Sequence, residues 1–155
     1  LRRETLLELE YNLMMFRIGG TRSSSKIQEK HLKNIKSNNK LKSFDDMNLL
    51  SIKMKEALLK GEIKIFADLL HESWQFKQAM NTGVTSEYVE DCYSTARELG
   101  ALGGKLLGAG GSGYLLIYAS PLYQKRITES LAEKGAMKEM FKFSQNGLEV
   151  WSTKR

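Results

Sequence analysis

Between Gly103 and Gly113 the chain reads Gly-Gly-Lys-Leu-Leu-Gly-Ala-Gly-Gly-Ser-Gly, and seven of its thirteen glycines fall between positions 100 and 113. Without a Cβ, glycine reaches left-handed backbone conformations and lets a ligand approach the main chain closely. Successive N–H groups in such a loop can form a nest for phosphate oxygens. A sharply twisted hairpin turn would also use glycine. The run from Gly108 to Gly113 is longer than a hairpin needs, so a functional loop is the better reading. Gly108, Gly110 and Gly113 also satisfy G-x-G-x-x-G. A dinucleotide fingerprint would need a helix straight after the last glycine and an acid about 20 residues on. Here Tyr114–Ala119 is apolar and strand-like, and Glu133 lies inside a later helix pattern. A protein-kinase loop would need a Val-Ala-Ile-Lys strand, His-Arg-Asp and Asp-Phe-Gly, and none is present. The motif alone says phosphate-like anion.

Other reactive side chains are few. The single cysteine, Cys92, falls on an apolar helical stripe and reads as a small buried hydrophobe rather than a nucleophile. With one cysteine and two histidines, a Cys/His metal site is not expected. His31 lies inside a basic run and His71 beside Glu72, neither with an obvious partner, so surface or structural roles are expected for both. Arg22, Lys26, Lys30, Lys33, Lys36, Lys40 and Lys42 stand against one acid, Glu29. Such a run is an electrostatic footprint for anions or, more simply, a solvated helix face. No aromatic residue interleaves it before Phe44, which removes the stacking platform of a single-strand binder. No nucleic-acid partner is expected.

These residues must be positioned by a scaffold whose pattern changes near Gly100. Before it, helix signals dominate. Leu13-Met14-Met15-Phe16-Arg17-Ile18 is short, apolar and closed by Gly19-Gly20, which suits a buried strand. Ser23 or Ser24 would cap a helix carrying Ile27, Leu32 and Ile35. Ser43 with Asp46 resembles a capping box ahead of a stripe of Met47, Leu50, Met54, Ala57 and Leu58 that runs up to Gly61. Ile63, Phe66, Ala67, Leu70 and Trp74 form another stripe. Thr85 or Ser86 would cap a further helix with Val89, Cys92, Tyr93, Ala96 and Leu99 inward and Gly100 as its stop. Beyond Gly100 the pattern gives strands over Ala101–Leu107 and Tyr114–Ser120. A helix then opens at Ser120-Pro121 and ends at Gly135. Met137–Phe143 and Leu148–Ser152 flank Asn146-Gly147, a hairpin signal that would place Phe141, Phe143, Leu148 and Val150 on one buried face. The fold class is α+β: a small, mainly antiparallel sheet covered by helices, with a long helical block between the first and second strands.

Length and composition agree. At 155 residues, 41% hydrophobic and 27% charged, the chain is globular in composition. Folding at that size buries roughly 68–70% of the unfolded surface. No apolar run nears the ~18 residues that cross a bilayer, so no membrane partner is expected. Leu1-Arg2-Arg3-Glu4 leads into a charged, helix-like stretch without the apolar core of a signal peptide, and a cytoplasmic location is expected. The opening at Leu1, without methionine, leads us to expect a piece of a longer protein. The net charge is +6.

The segment from Gly100 to Gly113 closely resembles the third conserved motif of the GHMP kinases, the superfamily of galactokinase, homoserine kinase, mevalonate kinase and phosphomevalonate kinase. Its wording Gly-Ala-Leu-Gly-Gly-Lys-Leu-Leu-Gly-Ala-Gly-Gly is most like the kinases of D-glycero-D-manno-heptose 7-phosphate, and fucokinase-like relatives share much of it. Phe16-Arg17-Ile18-Gly19-Gly20-Thr21-Arg22-Ser23-Ser24 resembles the family's strand end and Gly-x-x-Arg-type turn. Leu70-His71-Glu72-Ser73-Trp74-Gln75-Phe76-Lys77 resembles the helix before motif three. Ser112 departs from the pattern, where relatives usually carry glycine.

The resemblance covers nearly the whole chain and only the family's C-terminal domain. It implies a ferredoxin-like core with a helical insertion over residues 1–155. The N-terminal domain, with its Pro-x-x-x-Gly-Leu-Gly-Ser-Ser loop, Mg²⁺-holding residues and catalytic acid, has no counterpart here. It implies ATP and Mg²⁺ as cofactors, bound mainly by that missing domain, a sugar phosphate as substrate, and no catalytic or metal-binding residue in this piece. Lys105, Gly108, Ala109, Gly110, Gly111, Ser112 and Gly113 would then form a substrate and phosphate loop. Lys105 is either a solvated strand residue or an electrostatic helper. Arg22 would either contact a substrate phosphate or stabilise its own turn. The reading from another class is a self-standing α+β module that holds a phosphorylated small molecule or RNA backbone through the same loop. An RNA-binding sheet should show aromatic-rich RNP1, and a KH-type G-x-x-G should join helices rather than strands.

Overall fold

The computed structural model of this chain describes residues 1–19, 41–80, 85–108, 113–144 and 146–152. Among them are five helices and four strands: α1 (Arg3–Asn12), β1 (Leu13–Ile18), α2 (Leu41–Lys60), α3 (Ile63–Met80), α4 (Glu87–Glu98), β2 (Ala101–Leu106), β3 (Gly113–Ala119), α5 (Pro121–Glu133) and β4 (Met137–Glu139). The sheet order is β2-β3-β1-β4, every neighbour antiparallel. This is the split βαβ arrangement of a ferredoxin-like core, with α2, α3 and α4 filling the long connection between β1 and β2. The α+β expectation holds.

The local causes are those in the sequence. Ser86 caps α4, its hydroxyl accepting from the Val89 N–H at 3.3 Å. Pro121 opens α5 behind Ser120. Gly61, Gly100 and Gly135 follow three helices with φ of 80°, 105° and 85°, the left-handed stop that side chains resist. α2 is already under way at Leu41, so Ser43 lies inside it and is not its N-cap. The expected helix carrying Ile27, Leu32 and Ile35 falls outside the described residues.

Both faces of the sheet are covered. On one, Met14, Phe16, Ile18, Leu115 and Ile117 meet Val89, Cys92 and Ala96 of α4 and Ile127 and Leu131 of α5, with Trp74 of α3 among them. On the other, Leu13 and Tyr118 meet Leu9 of α1 and Ile63 and Ala67 of α3. Helix α3 therefore reaches both cores. It lies along edge strand β2, where an alanine Cβ at Gly103 would stand 2.0 Å from the Ala67 carbonyl oxygen. That lateral contact requires glycine.

The hairpin across Asn146-Gly147 is a correction. β4 stops at Glu139, and residues 140–144 and 146–152 form neither helix nor strand. Phe141 does pack against the second core and meets Phe143 edge-on at 5.7 Å, but Leu148 and Val150 are exposed. A two-stranded ribbon gains little without a core to cover its apolar face. Trp151 is 81% exposed, so Trp151→Ala should change unfolding free energy by less than about 0.5 kcal/mol in urea titration. A loss above 1 kcal/mol would restore the hairpin.

Candidate functional site

The glycine-rich connection joins two strands. Leu106 pairs with Leu115, and the Leu107 N–H donates to the Tyr114 carbonyl at 2.8 Å, closing the stem. Gly108 follows with φ 75° and, among the described residues, no atom within 4 Å of where its Cβ would stand. Gly113 begins β3 with φ 128°, its nearest such neighbour the Leu107 carbonyl at 3.9 Å. Both positions demand glycine for conformation and leave the backbone open to a ligand. Gly103 and Gly104 serve packing instead, since a Cβ on Gly104 would stand 2.4 Å from the Leu116 carbonyl. Ala109, Gly110, Gly111, Ser112 and Arg22 lie outside the described residues.

Lys105 is half-buried. Its side chain runs from β2 to α3, where Nζ donates to Ser73 Oγ at 3.3 Å. Burial lowers its pKa. One helical turn beyond Ser73, Lys77 donates to the carbonyls of Leu106 at 3.3 Å and Gly108 at 2.8 Å. Its ammonium also lies 5.9 Å from the Trp74 ring centroid. Burial, then the Lys105 charge, lowers the Lys77 pKa. Among the described residues neither amine has a carboxylate within ion-pair distance. Ser73 and Lys105 also line a cavity of about 470 Å³, walled by Met54, Leu58 and Phe66 among others.

Sequence reasoning picked out Lys105 and missed Ser73 and Lys77 as its neighbours. The signal for them was Gly103-Gly104 inside a strand pattern, which announces close approach of another backbone. His71 does have a partner: Tyr93 Oη lies 2.6 Å from Nδ1, with the rings stacked at 5.8 Å. Burial pushes the Tyr93 hydroxyl up to about 12, and burial with Arg97 lowers His71 against the raising effect of Asp68. At neutral pH the pair is therefore a neutral ring and a neutral hydroxyl sharing one hydrogen bond. As pH falls through about 6.5 the unfolded histidine binds a proton before the folded one, so stability should drop. Urea midpoints measured down to about pH 5.5 should show this, and His71→Gln should flatten the slope. Cys92 is fully buried, and burial is the main cause of its raised pKa.

The family model for the C-terminal part of the GHMP kinases matches residues 54–136, and the chain belongs to that family. It is 26% identical over 144 residues to the D-glycero-alpha-D-manno-heptose 7-phosphate kinase of Campylobacter jejuni, covering 93% of this chain and 42% of that enzyme. Over 94 residues it is 32% identical to the L-fucokinase/L-fucose-1-P guanylyltransferase of Bacteroides fragilis, covering 60% of this chain and 10% of that protein. The chain thus spans less than half the length of these relatives. In fold it is similar to a mevalonate kinase from L. major, with a TM-score of 0.69 at 23% identity over 79% of this chain and 38% of the other. It is also similar to a D-glycero-D-manno-heptose 1-phosphate kinase from Bacteroides thetaiotaomicron, with a TM-score of 0.56 at 21% identity over 98% and 40%. These relatives are kinases. Among the described residues, no helix is long and apolar enough to cross a membrane, and no group of three or more His, Cys, Asp or Glu could hold a metal ion.

Proposed function

We propose that residues 1–155 are the C-terminal domain of an ATP-dependent sugar kinase that phosphorylates the anomeric hydroxyl of a sugar phosphate, with D-glycero-D-manno-heptose 7-phosphate as substrate. An N-terminal domain completes the cleft. The observation that supports this reading is the β2–β3 hairpin. It offers glycine backbone without Cβ obstruction at Gly108 and Gly113, beside a partly buried lysine, in a chain alignable over 93% of its length with a heptose 7-phosphate kinase.

The transfer would break the bond from the γ-phosphorus to its bridging oxygen, which departs with ADP, and form one to the anomeric oxygen, whose proton would pass to the carboxylate form of the N-terminal domain's catalytic acid. When bound, ATP supplies the phosphoryl group and Mg²⁺ offsets charge on its oxygens. The open face of Gly108 fits phosphate oxygens, and the family resemblance gives magnesium mainly to the N-terminal domain. This chain contributes positioning. Backbone N–H groups of Ala109, Gly110, Gly111 and Ser112 would donate to substrate or phosphate oxygens, Lys105 would supply positive charge beside the hairpin, and Arg22 would either stabilise its own turn or contact the substrate phosphate.

The test is ADP release with Mg-ATP and a panel of sugars and sugar phosphates, comparing the full-length protein with the 155-residue chain. Turnover is expected only from the full-length protein and only with the heptose phosphate. No turnover with any sugar, together with RNA or phosphorylated-effector binding by the shorter chain, would leave the self-standing module.

A further inference from the structure

We propose that Ser73, Lys77 and Lys105 form a binding site for a phosphate-type dianion where α3 meets the end of β2. Lys105 Nζ and Ser73 Oγ contact the anion, while Lys77 holds the hairpin entrance and adds a second positive charge.

Four observations carry this. First, two partly buried ammonium groups stand on facing elements, close enough for the Lys105 charge to lower the Lys77 pKa, with no carboxylate at ion-pair distance among the described residues. Charges withdrawn from water are ordinarily paired, and two like charges together raise that need. Second, the hydrogen-bond inventory is incomplete in the right place. The two carbonyls held by Lys77 account for two of its three N–H groups. Among the described residues Lys105 has the Ser73 oxygen alone, and the Ser73 hydroxyl hydrogen has no acceptor. Third, there is access, because Ser73 and Lys105 stand in the wall of the 470 Å³ cavity, whose other walls are largely apolar. A low-dielectric wall strengthens an ammonium–phosphate contact. Fourth, the frame is stiff, since Ala67 and Ser73 lie on one helix, Gly103 and Lys105 on one strand, and the Gly103 contact fixes helix against strand.

The site rests on the kinase reading only for the source of the phosphate. A sugar phosphate's own phosphate and the terminal phosphate of a nucleotide share the chemistry.

The experiment is a titration of inorganic phosphate into the 155-residue chain, observed by carbon–proton NMR at the lysine ε-carbons and matched in ionic strength with chloride. The signals of Lys105 and Lys77 are expected to move saturably, and both amines to titrate at higher pH with phosphate bound, because an anion favours their charged forms. Lys105→Gln should weaken binding about tenfold or more, and Ser73→Ala by a smaller factor. The methyl signals of the buried Ile117 and Ile127 report whether each variant is folded. If Lys105→Gln fails to fold, Lys105→Arg retains the charge and should retain binding, and the wild-type titration stands by itself. Equal shifts in chloride and phosphate, or a response spread over all lysines, would overturn the site. Repeating the titration with ADP and with a sugar 7-phosphate identifies the source. If the full-length protein phosphorylates no sugar while phosphate still binds here, the substrate reading fails and the site survives.

Discussion

Replacing Gly103 with alanine should destabilise the domain by about 2–3 kcal/mol, the cost of forcing extra volume into a tightly packed contact. The added Cβ would stand 2.0 Å from the Ala67 carbonyl oxygen, 3.0 Å from the Ala67 carbonyl carbon and 3.2 Å from the His71 nitrogen. All three are helix backbone, which cannot rotate aside as a side chain can. Relief requires α3 to lift from β2, which also separates Ser73 from Lys105 across the same seam. Gly108→Ala makes the control. Its Cβ meets no atom of the described residues within 4 Å, so the φ of 75° carries the penalty, about 1–2 kcal/mol. Urea denaturation of both variants decides the matter. A Gly103→Ala protein within 0.5 kcal/mol of wild type would mean that this close approach is not part of the solution fold.

Trp74→Ala should be the most damaging single change in the core, costing about 3–5 kcal/mol for lost burial and the cavity left behind. Trp74 is 0% exposed, lies edge-on to Tyr93 at 6.2 Å and sits beneath the Lys77 ammonium. Its indole Nε1 has no hydrogen-bond partner among the described residues. A buried donor without an acceptor is a liability, so Trp74→Phe removes volume and an unmet demand together. That variant should lose no more than about 1.5 kcal/mol. If phenylalanine proves as costly as alanine in calorimetry, the indole N–H has a partner in solution and the packing account fails.

The contrast between Gly103 and Lys77 shows how far the sequence could be read. Stripes of period 3.6 placed α2 to α5, apolar runs placed β1 to β3, and glycines marked the stops, because each of these signals is written within one element. The Asn146-Gly147 signal is equally local, yet it misled. Turn chemistry favours a hairpin, but none of the described residues covers Leu148 and Val150, and β1 already has β3 and β4 at its two edges. Lys105 stood out because it adjoins the glycine run. Ser73 and Lys77 did not, since they precede it by about thirty residues and become its neighbours only when α3 lies beside β2. Spacing along a helix reveals which residues share a face, but not what the face meets.

The order β2-β3-β1-β4 also dictates a timetable. Met14 has no strand partner until Ile117 exists, roughly a hundred residues later in the chain. At ribosomal rates of about 5–20 residues per second, β1 waits on the order of 5–20 s with both edges open. Its Leu-Met-Met-Phe-Arg-Ile sequence is the kind of exposed strand that recruits other chains. A chain ended at residue 112 should therefore show no hydrogen-exchange protection in β1. During synthesis the hazard is one of timing, and it falls on the first strand of the sheet, whose pairing is completed only by the last.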